Sequence, residues 1–179
     1  FNAWIPGRIS SWFYGMFLNT LFVANFTGKP GHILIPILIE DYSYSNNYTI
    51  FTAHVRRGIY WSDGVEFTAE DIAYTFMLEK NTSGLLRYSY MNEWVERAYA
   101  EDKYTVVVEF KKPNPKFHLG YGGPSFNYIM PKHIFEEVED PVKFKFFPPV
   151  GTGPYVLHDY DPDGYWFLFR RRDDWQRSA

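Results

Sequence analysis

The stretch from residue 49 to residue 80 carries the clearest pattern of hydrophobic and polar positions in the chain. Hydrophobic and polar residues alternate over 51–56, which is the period-two pattern of a strand with one buried face. Residues 62–64, Ser-Asp-Gly, favour a tight turn, because Asp can bond its own backbone and Gly tolerates a positive φ. A helix is then predicted from Thr68, which is placed to cap it, to Lys80 in its last turn. Its expected buried face is Ile72, Ala73, Phe76 and Met77.

Weaker patterns in the first half predict less regular elements. A helix is predicted over residues 9–21, because large hydrophobic side chains recur there near one face. Residues 32–39 are hydrophobic but contain Pro36, which favours an edge strand or an extended segment. Residues 43–48 are expected to connect two strands as a hairpin. No element is predicted between Lys80 and Glu93, where the periodicity is lost.

Two hairpins and a short helix are predicted in the second half. A strand over 93–98 and an alternating strand over 104–110 are separated by a Glu-Asp-Lys turn. Residues 132–138 are expected to form a short helix after Pro131. The last hairpin is predicted around the Asp-Pro-Asp-Gly turn at 161–164, and the segments on either side of that turn form its strands.

Three segments carry a family resemblance. Residues 55–76, VRRGIYWSDGVEFTAEDIAYTF, closely resemble the signature of family 5 of the extracellular solute-binding proteins, the periplasmic oligopeptide-binding proteins of ABC importers. Residues 149–157, PVGTGPYVL, resemble the segment by which that family's chain re-enters its first lobe, and residues 171–175 resemble the motif that follows. The start, Phe-Asn-Ala-Trp at 1–4, is similar to a short segment near the family's mature N-terminus.

The resemblance implies a mixed α+β or α/β fold of the periplasmic-binding-protein type (type II, cluster C). Residues 1–20 are expected to begin the first lobe, residues 21–146 to form a small inserted α/β domain, and residues 147–179 to return to the first lobe. Family members are more than twice as long as these 179 residues. The chain is therefore expected to be an N-terminal portion, with a hydrophobic face that meets the rest of its lobe.

The amino-acid composition argues against several classes of function. The net charge is −3 and the pI is about 6.0, so the electrostatic basis for nucleic-acid binding is missing. The basic run at 170–172 is followed by two Asp residues and is expected to be a solvated strand end. Cysteine is absent, which excludes disulfides and thiolate chemistry. The aromatic content of 21% supplies core and interface area, or alternatively flat rings that face a ligand, and the second reading favours sugars slightly over peptides.

The sequence does not predict an enzyme, a cofactor or a metal site. The five histidines lack the close spacing of a helical metal pair, and G-x-S-x-G is absent. The neighbouring carboxylates at 70–71 and 136–137 are expected on solvated helix faces, since helix neighbours do not face each other across a substrate. Asp159, Asp161 and Asp163 fit half of a calcium loop, but Arg170 stands where its glutamate should be, so a turn is predicted.

The resemblance implies capture of a solute outside the cytoplasmic membrane, in the periplasm or at its outer face. Oligopeptides would be bound between two hinged lobes of a monomer and delivered to an ABC permease. Cello- or manno-oligosaccharides are the alternative solutes, and an interaction or signalling receptor is the alternative of another class. The expected ligand contacts are Asn2, Trp4 and Tyr121, because the matching family segments lie at or beside the cleft. Packing beneath the lobe surface is the equal alternative for Trp4.

Overall fold

The computed structural model describes residues 3–6, 14–24, 34–119, 127–164 and 166–179. Within these ranges the regular elements, in chain order, are β1 (Phe22–Ala24), β2 (Leu34–Pro36), β3 (Ile39–Ser45), β4 (Ile50–Val55), α1 (Ala69–Asn81), α2 (Tyr88–Trp94), β5 (Val95–Asp102), β6 (Thr105–Phe110), α3 (Lys132–Phe135), β7 (Tyr155–Asp161) and β8 (Trp166–Arg171). No helix in these ranges is both long enough and hydrophobic enough to cross a membrane.

A four-stranded antiparallel sheet of order β3-β4-β6-β5 forms the centre of the fold. On the central strand β4, Phe51 lies opposite Val108 and Ala53 lies opposite Val106. These four residues are fully buried. The predicted alternation in β4 and the predicted hairpin of β5 and β6 are both confirmed. Strand β5 begins at Val95, because Glu93 and Trp94 belong to the preceding helix, and it runs on to Asp102.

Helix α1 packs against this sheet, as its hydrophobic face predicts. Ile72 and Phe76 are fully buried in the core that also contains β4 and β6. Burial of side chains of this size contributes about 1.5–3 kcal/mol each. The capping box at its start is present, because the Thr68 N–H donates to Asp71 Oδ2 at 2.9 Å and the Thr68 side chain accepts from the Asp71 N–H.

Several sequence predictions were wrong in detail. Residues 18–24 do not continue a helix, since the chain is irregular and then extended as β1, while residues 7–13 lie outside the described ranges. Helix α2 was not predicted at all. Strand β3 continues to Ser45, so the hairpin connection is confined to residues 46–49, where Asn46, Asn47 and Tyr48 have positive φ. Helix α3 ends at Phe135, three residues before the predicted end.

Strands β7 and β8 form the predicted hairpin, apart from the main sheet. Its base is anchored, because the Phe169 ring stacks on Phe17 with ring centroids 5.6 Å apart. Beyond the base the side chains on both faces are exposed, including Trp166, Phe167 and Leu168. The division into residues 1–20, 21–146 and 147–179 stays a prediction.

Candidate functional site

Of the three predicted ligand contacts, Trp4 is the one that the structure describes. Its side chain is 2% exposed, and its rings meet Phe135 and Phe146 edge to face at centroid distances of 5.0 and 5.7 Å. The indole N–H donates to the carbonyl of Tyr128 at 2.7 Å. These contacts account for Trp4 as a packing residue, and its ligand role stays a prediction. Asn2 and Tyr121 lie outside the described residues.

The signature segment, residues 55–76, contacts the second segment that carries the resemblance. The Ser62 N–H donates to the Gly151 carbonyl at 2.9 Å, and the Gly151 N–H donates to Ser62 Oγ at 3.2 Å. The turn itself is closed by Asp63, whose Oδ1 accepts from the Val65 N–H at 3.2 Å. Two segments separated by nearly ninety residues in sequence therefore form one paired structural unit.

Gly151 and Gly153 are required by the close approach of another backbone. A Cβ added at Gly151 would lie 1.7 Å from the Phe17 carbonyl oxygen, and one at Gly153 would lie 2.7 Å from the Met16 carbonyl oxygen. The Gly153 N–H donates to the same Phe17 carbonyl at 2.9 Å. These glycines allow the returning chain to pair with residues 16–17.

Arg172 links this unit to the end of the hairpin. Its guanidinium donates to the carbonyls of Tyr60 at 2.9 Å and Trp61 at 3.2 Å, and it meets both carboxylate oxygens of Asp174 at 2.9 Å. The Asp174 pKa is lowered by this bond. The predicted solvated strand end holds for Arg170 and Arg171, which are exposed, and is wrong for Arg172, whose side chain is 2% exposed. The five donors of a guanidinium suit such a junction of carbonyls.

A second buried row on α1 is polar. Asp71, Thr75 and Glu79 stand four residues apart and hold the segment 127–132. Asp71 Oδ1 accepts from the Lys132 N–H at 3.0 Å, Thr75 Oγ1 accepts from the Met130 N–H at 2.9 Å, and Glu79 Oε2 accepts from Asn127 Nδ2 at 2.5 Å. The prediction of a solvated carboxylate at Asp71 was wrong, because this side chain caps the helix and binds a second segment.

Burial perturbs both carboxyl groups of this row. It raises the pKa of Asp71, against the two backbone N–H groups that stabilise its carboxylate. It raises the pKa of Glu79 to about 8, against the Asn127 amide and the positive charge of Arg87. The sequence carried a signal for this row in the four-residue spacing of its members, which places them on one helix face.

The remaining polar clusters of the described residues are local pairs and turn contacts. Within the described ranges, no group of three or more His, Asp and Glu residues could hold a metal ion. Asp159 and Asp161 accept bonds from backbone N–H groups of their own turn. His133 Nε2 lies 2.7 Å from Asp63 Oδ2, and His54 Nδ1 lies 2.5 Å from Asp41 Oδ1. These pairs connect neighbouring segments of the fold.

The sequence agrees with a known family over most of its length. The family model of bacterial extracellular solute-binding proteins, family 5, matches residues 34–179. The chain therefore belongs to family 5 of the bacterial extracellular solute-binding proteins.

Two curated relatives illustrate the family. The glutathione-binding protein GsiB of Salmonella choleraesuis is 26% identical over 142 residues, which cover 79% of this chain and 27% of that protein. The dipeptide-binding protein of Escherichia coli K12 is 26% identical over 162 residues, which cover 74% of this chain and 30% of that protein. The chain thus spans less than a third of the length of these relatives.

Solved structures confirm the fold class. The periplasmic oligopeptide-binding protein of an oligopeptide ABC transporter from Thermotoga maritima, bound to mannohexaose, matches with a TM-score of 0.75 and 27% identity, over 90% of this chain and 29% of that chain. The oligopeptide-binding protein AppA from Bacillus subtilis, in complex with a nonapeptide, matches with a TM-score of 0.79 and 20% identity, over 99% of this chain and 35% of that chain. The mixed α/β fold of the periplasmic binding proteins is the fold of this chain.

Proposed function

We propose that this chain is part of an extracytoplasmic solute-binding protein that captures oligopeptides and delivers them to an ABC permease. The observation that carries the proposal is the family match, which covers the signature segment, the paired Gly151 segment and the hairpin in one continuous stretch. Relatives named for glutathione and dipeptide binding support a peptide solute, since glutathione is itself a tripeptide. Such a protein acts by binding and closing around its solute.

The described residues supply the scaffold beside the proposed site. Trp4 is held at the Tyr128 carbonyl, and the neighbouring segment 127–132 is held by α1. Asn2, Trp4 and Tyr121 are the proposed solute contacts from this chain. The remaining contacts, and the opposing lobe, are proposed to come from the additional polypeptide that the longer relatives possess.

An oligosaccharide solute is the second candidate. It is favoured by the Thermotoga maritima relative, a protein named for oligopeptides whose structure holds mannohexaose. Sugar recognition uses stacked aromatic rings, and this chain contains 38 aromatic residues from 17 Phe, 15 Tyr and 6 Trp. Peptide recognition instead needs charged partners for the two termini of the peptide.

Titration calorimetry on the natural polypeptide that carries this sequence, here called the full-length protein, tests the proposal. Di- to octapeptides, reduced glutathione, and cello- and manno-oligosaccharides are compared at equal concentration. Saturable heat with peptides alone is the expected result. Heat with sugars alone would replace the solute class. A folded protein that binds none of them would favour the receptor alternative over transport.

A further inference from the structure

Glu79 is the most completely buried carboxyl group among the described residues, and the fold gives it a specific neighbour. Its side chain has no exposed area, and one of its oxygens, Oε2, accepts from Asn127 Nδ2 at 2.5 Å. The other oxygen, Oε1, is buried without a hydrogen-bond partner among these residues. A buried carboxyl with so few donors costs free energy when it is charged. The fold therefore retains this group at a cost to its own stability.

Asn127 is the first residue of the segment that supports Trp4. The next residue is Tyr128, whose carbonyl accepts the Trp4 indole N–H at 2.7 Å, and Tyr128 also bridges to Thr20. Ile129 donates to the Asn19 carbonyl at 3.3 Å. The position of Tyr128 therefore depends on two things. One is the β-type pairing of residues 128–129 with residues 19–20, and the other is the contact between Asn127 and Glu79.

We propose that Glu79 is a positioning residue, which acts through Asn127 to hold residues 127–130 against α1 and thereby fixes the Trp4 side chain for solute binding. The part of this inference that concerns binding rests on the proposed function. The part that concerns residues 127–130 does not, because it can be measured without a solute.

The charge state of Glu79 decides whether this contact is favourable. The protonated carboxyl accepts from Asn127 without carrying a buried charge, whereas the carboxylate must be held in a site with one amide donor. The charged group that acts on it is Arg87, from the loop before α2, while the 127–130 segment contributes the amide of Asn127. Burial raises the pKa of Glu79 from an ordinary value of 4.5 to about 8.

Because the pKa of Glu79 is raised by folding, the stability of the folded protein changes with pH. A carboxyl with a raised pKa binds a proton in the folded protein over a range in which the unfolded or opened form has lost it. Its contribution to stability is complete below about pH 4.5 and is lost as the pH rises toward 8. An opening that exposes Glu79 is thus expected to become on the order of fiftyfold more frequent between pH 6 and pH 8.

The experiment is hydrogen exchange of the full-length protein at pH 6, 7 and 8, corrected for intrinsic exchange, with Glu79→Gln and Glu137→Gln as the paired variants. The amide introduced by Glu79→Gln keeps an acceptor for Asn127 and cannot ionise, and Glu137 is an exposed carboxylate that serves as the control. Protection of the amides of Ile129 and Met130 is expected to fall with pH in the wild type and in Glu137→Gln, and to stay constant in Glu79→Gln. The amides of the central strand β4, which pair within the main sheet, are the internal reference.

Peptide affinity is measured on the same proteins over the same pH range. A severalfold loss of affinity toward pH 8 in the wild type, absent in Glu79→Gln, supports the positioning role. Equal pH dependence of exchange in wild type and Glu79→Gln overturns the inference. A third outcome is that Glu79→Gln changes the pH dependence of exchange but leaves the pH dependence of peptide affinity as in the wild type. That outcome overturns the link between Glu79, Trp4 and binding. Absence of binding at every pH refutes the proposed function, while the exchange result still decides the role of Glu79 in the fold.

Discussion

The signature segment and the β7–β8 hairpin are both rich in aromatic residues, yet one buries them and the other exposes them. Trp61 and Phe76 are fully buried between α1 and the sheet, whereas Trp166 and Phe167 of the hairpin are each 45% exposed. The signature segment folds onto a partner that follows it closely in sequence, the β5–β6 hairpin. The β7–β8 hairpin is anchored at its base, where Phe169 meets Phe17, and beyond the base Tyr160 meets Phe147, a contact between two exposed rings.

This difference shows that a segment can form its local structure without burying its side chains. Strand pairing runs along the whole hairpin, from Tyr155 opposite Arg171 to Asp161 opposite Trp166, with one register shift between Leu157 and Asp159. Pairing alone leaves a two-stranded ribbon with marginal stability, because a ribbon needs a packed face. A hydrophobic surface of this kind in a folded protein marks an interaction site. We expect the hairpin to be covered by the additional polypeptide that the relatives contain.

The largest expected effect concerns Gly151, which pairs with Ser62 of the signature segment and lies against the backbone of Phe17 shortly before β7 begins. Gly151→Ala would place a Cβ 1.7 Å from the Phe17 carbonyl, so the two segments must separate. The loss of stability is expected to exceed about 3 kcal/mol, because backbone atoms cannot yield as a side chain can. Chemical denaturation of the full-length protein measures it.

Gly58→Ala is the matched control, because Gly58 has a positive φ of 78° and open space around it. Its cost is expected to be about 1 kcal/mol from backbone conformation alone. Equal losses for the two variants would show that the close approach of the Phe17 backbone does not require glycine at position 151.

Removal of the Arg172 guanidinium is expected to have the next largest effect. Arg172→Ala leaves the carbonyls of Tyr60 and Trp61 without this donor and Asp174 without its partner. The expected loss is about 3 kcal/mol, the lower end of the range for breaking a buried ion pair, since Asp174 is partly exposed. The measurement is the denaturation midpoint. Arg171→Ala, at an exposed neighbour, should change it little, and a comparable loss there would contradict the assignment.

The turn before α1 and the buried Arg172 show what could and could not be predicted from sequence. The turn at Asp63 and Gly64 and the start of α1 at Thr68 were predicted because the residues that stabilise them are within a few positions of each other. The burial of Arg172 depends on the carbonyl of Tyr60, 112 positions away in the chain, which no local pattern encodes.

Two of the errors in helix prediction have different origins. Helix α2 has no side-chain cap at Arg87 and buries Met91, so its sequence lacks the usual start signal. Within the described residues the predicted helix over 9–21 is absent at 18–21, because the Phe17 carbonyl is bonded to Gly153 and Thr20 pairs with Tyr128. Of the predicted site residues, Trp4 lies within the described ranges, and its Tyr128 partner is 124 positions away in the chain, which no local pattern encodes.

Loss of the Asp63 side chain should have a smaller effect. Asp63→Ala removes the bond to the Val65 N–H and the contact with His133 Nε2 in a partly exposed turn. Stability is expected to fall by about 1 kcal/mol. Solute preference should remain that of the wild type in a calorimetric titration. Unchanged melting with lost binding would instead assign Asp63 to the site.

The smallest expected effect on stability is at the hairpin surface. Phe167→Ser removes a ring that is nearly half exposed, and in the 179-residue chain it should change the free energy of unfolding by no more than about 0.5 kcal/mol. It should reduce self-association of that chain, which light scattering can follow. Val108→Ser, at a fully buried position of β6, provides the contrast and should be strongly destabilising.

The most direct measurement compares hydrogen exchange in the 179-residue chain and in the full-length protein. The amides of β4 and α1 should be protected equally in both, because their packing partners are present in this chain. The amides of β7 and β8 should exchange rapidly in the shorter chain and become protected in the full-length protein. A hairpin that is equally protected, or equally unprotected, in both proteins would contradict the view that this region completes its core with the rest of a larger solute-binding protein.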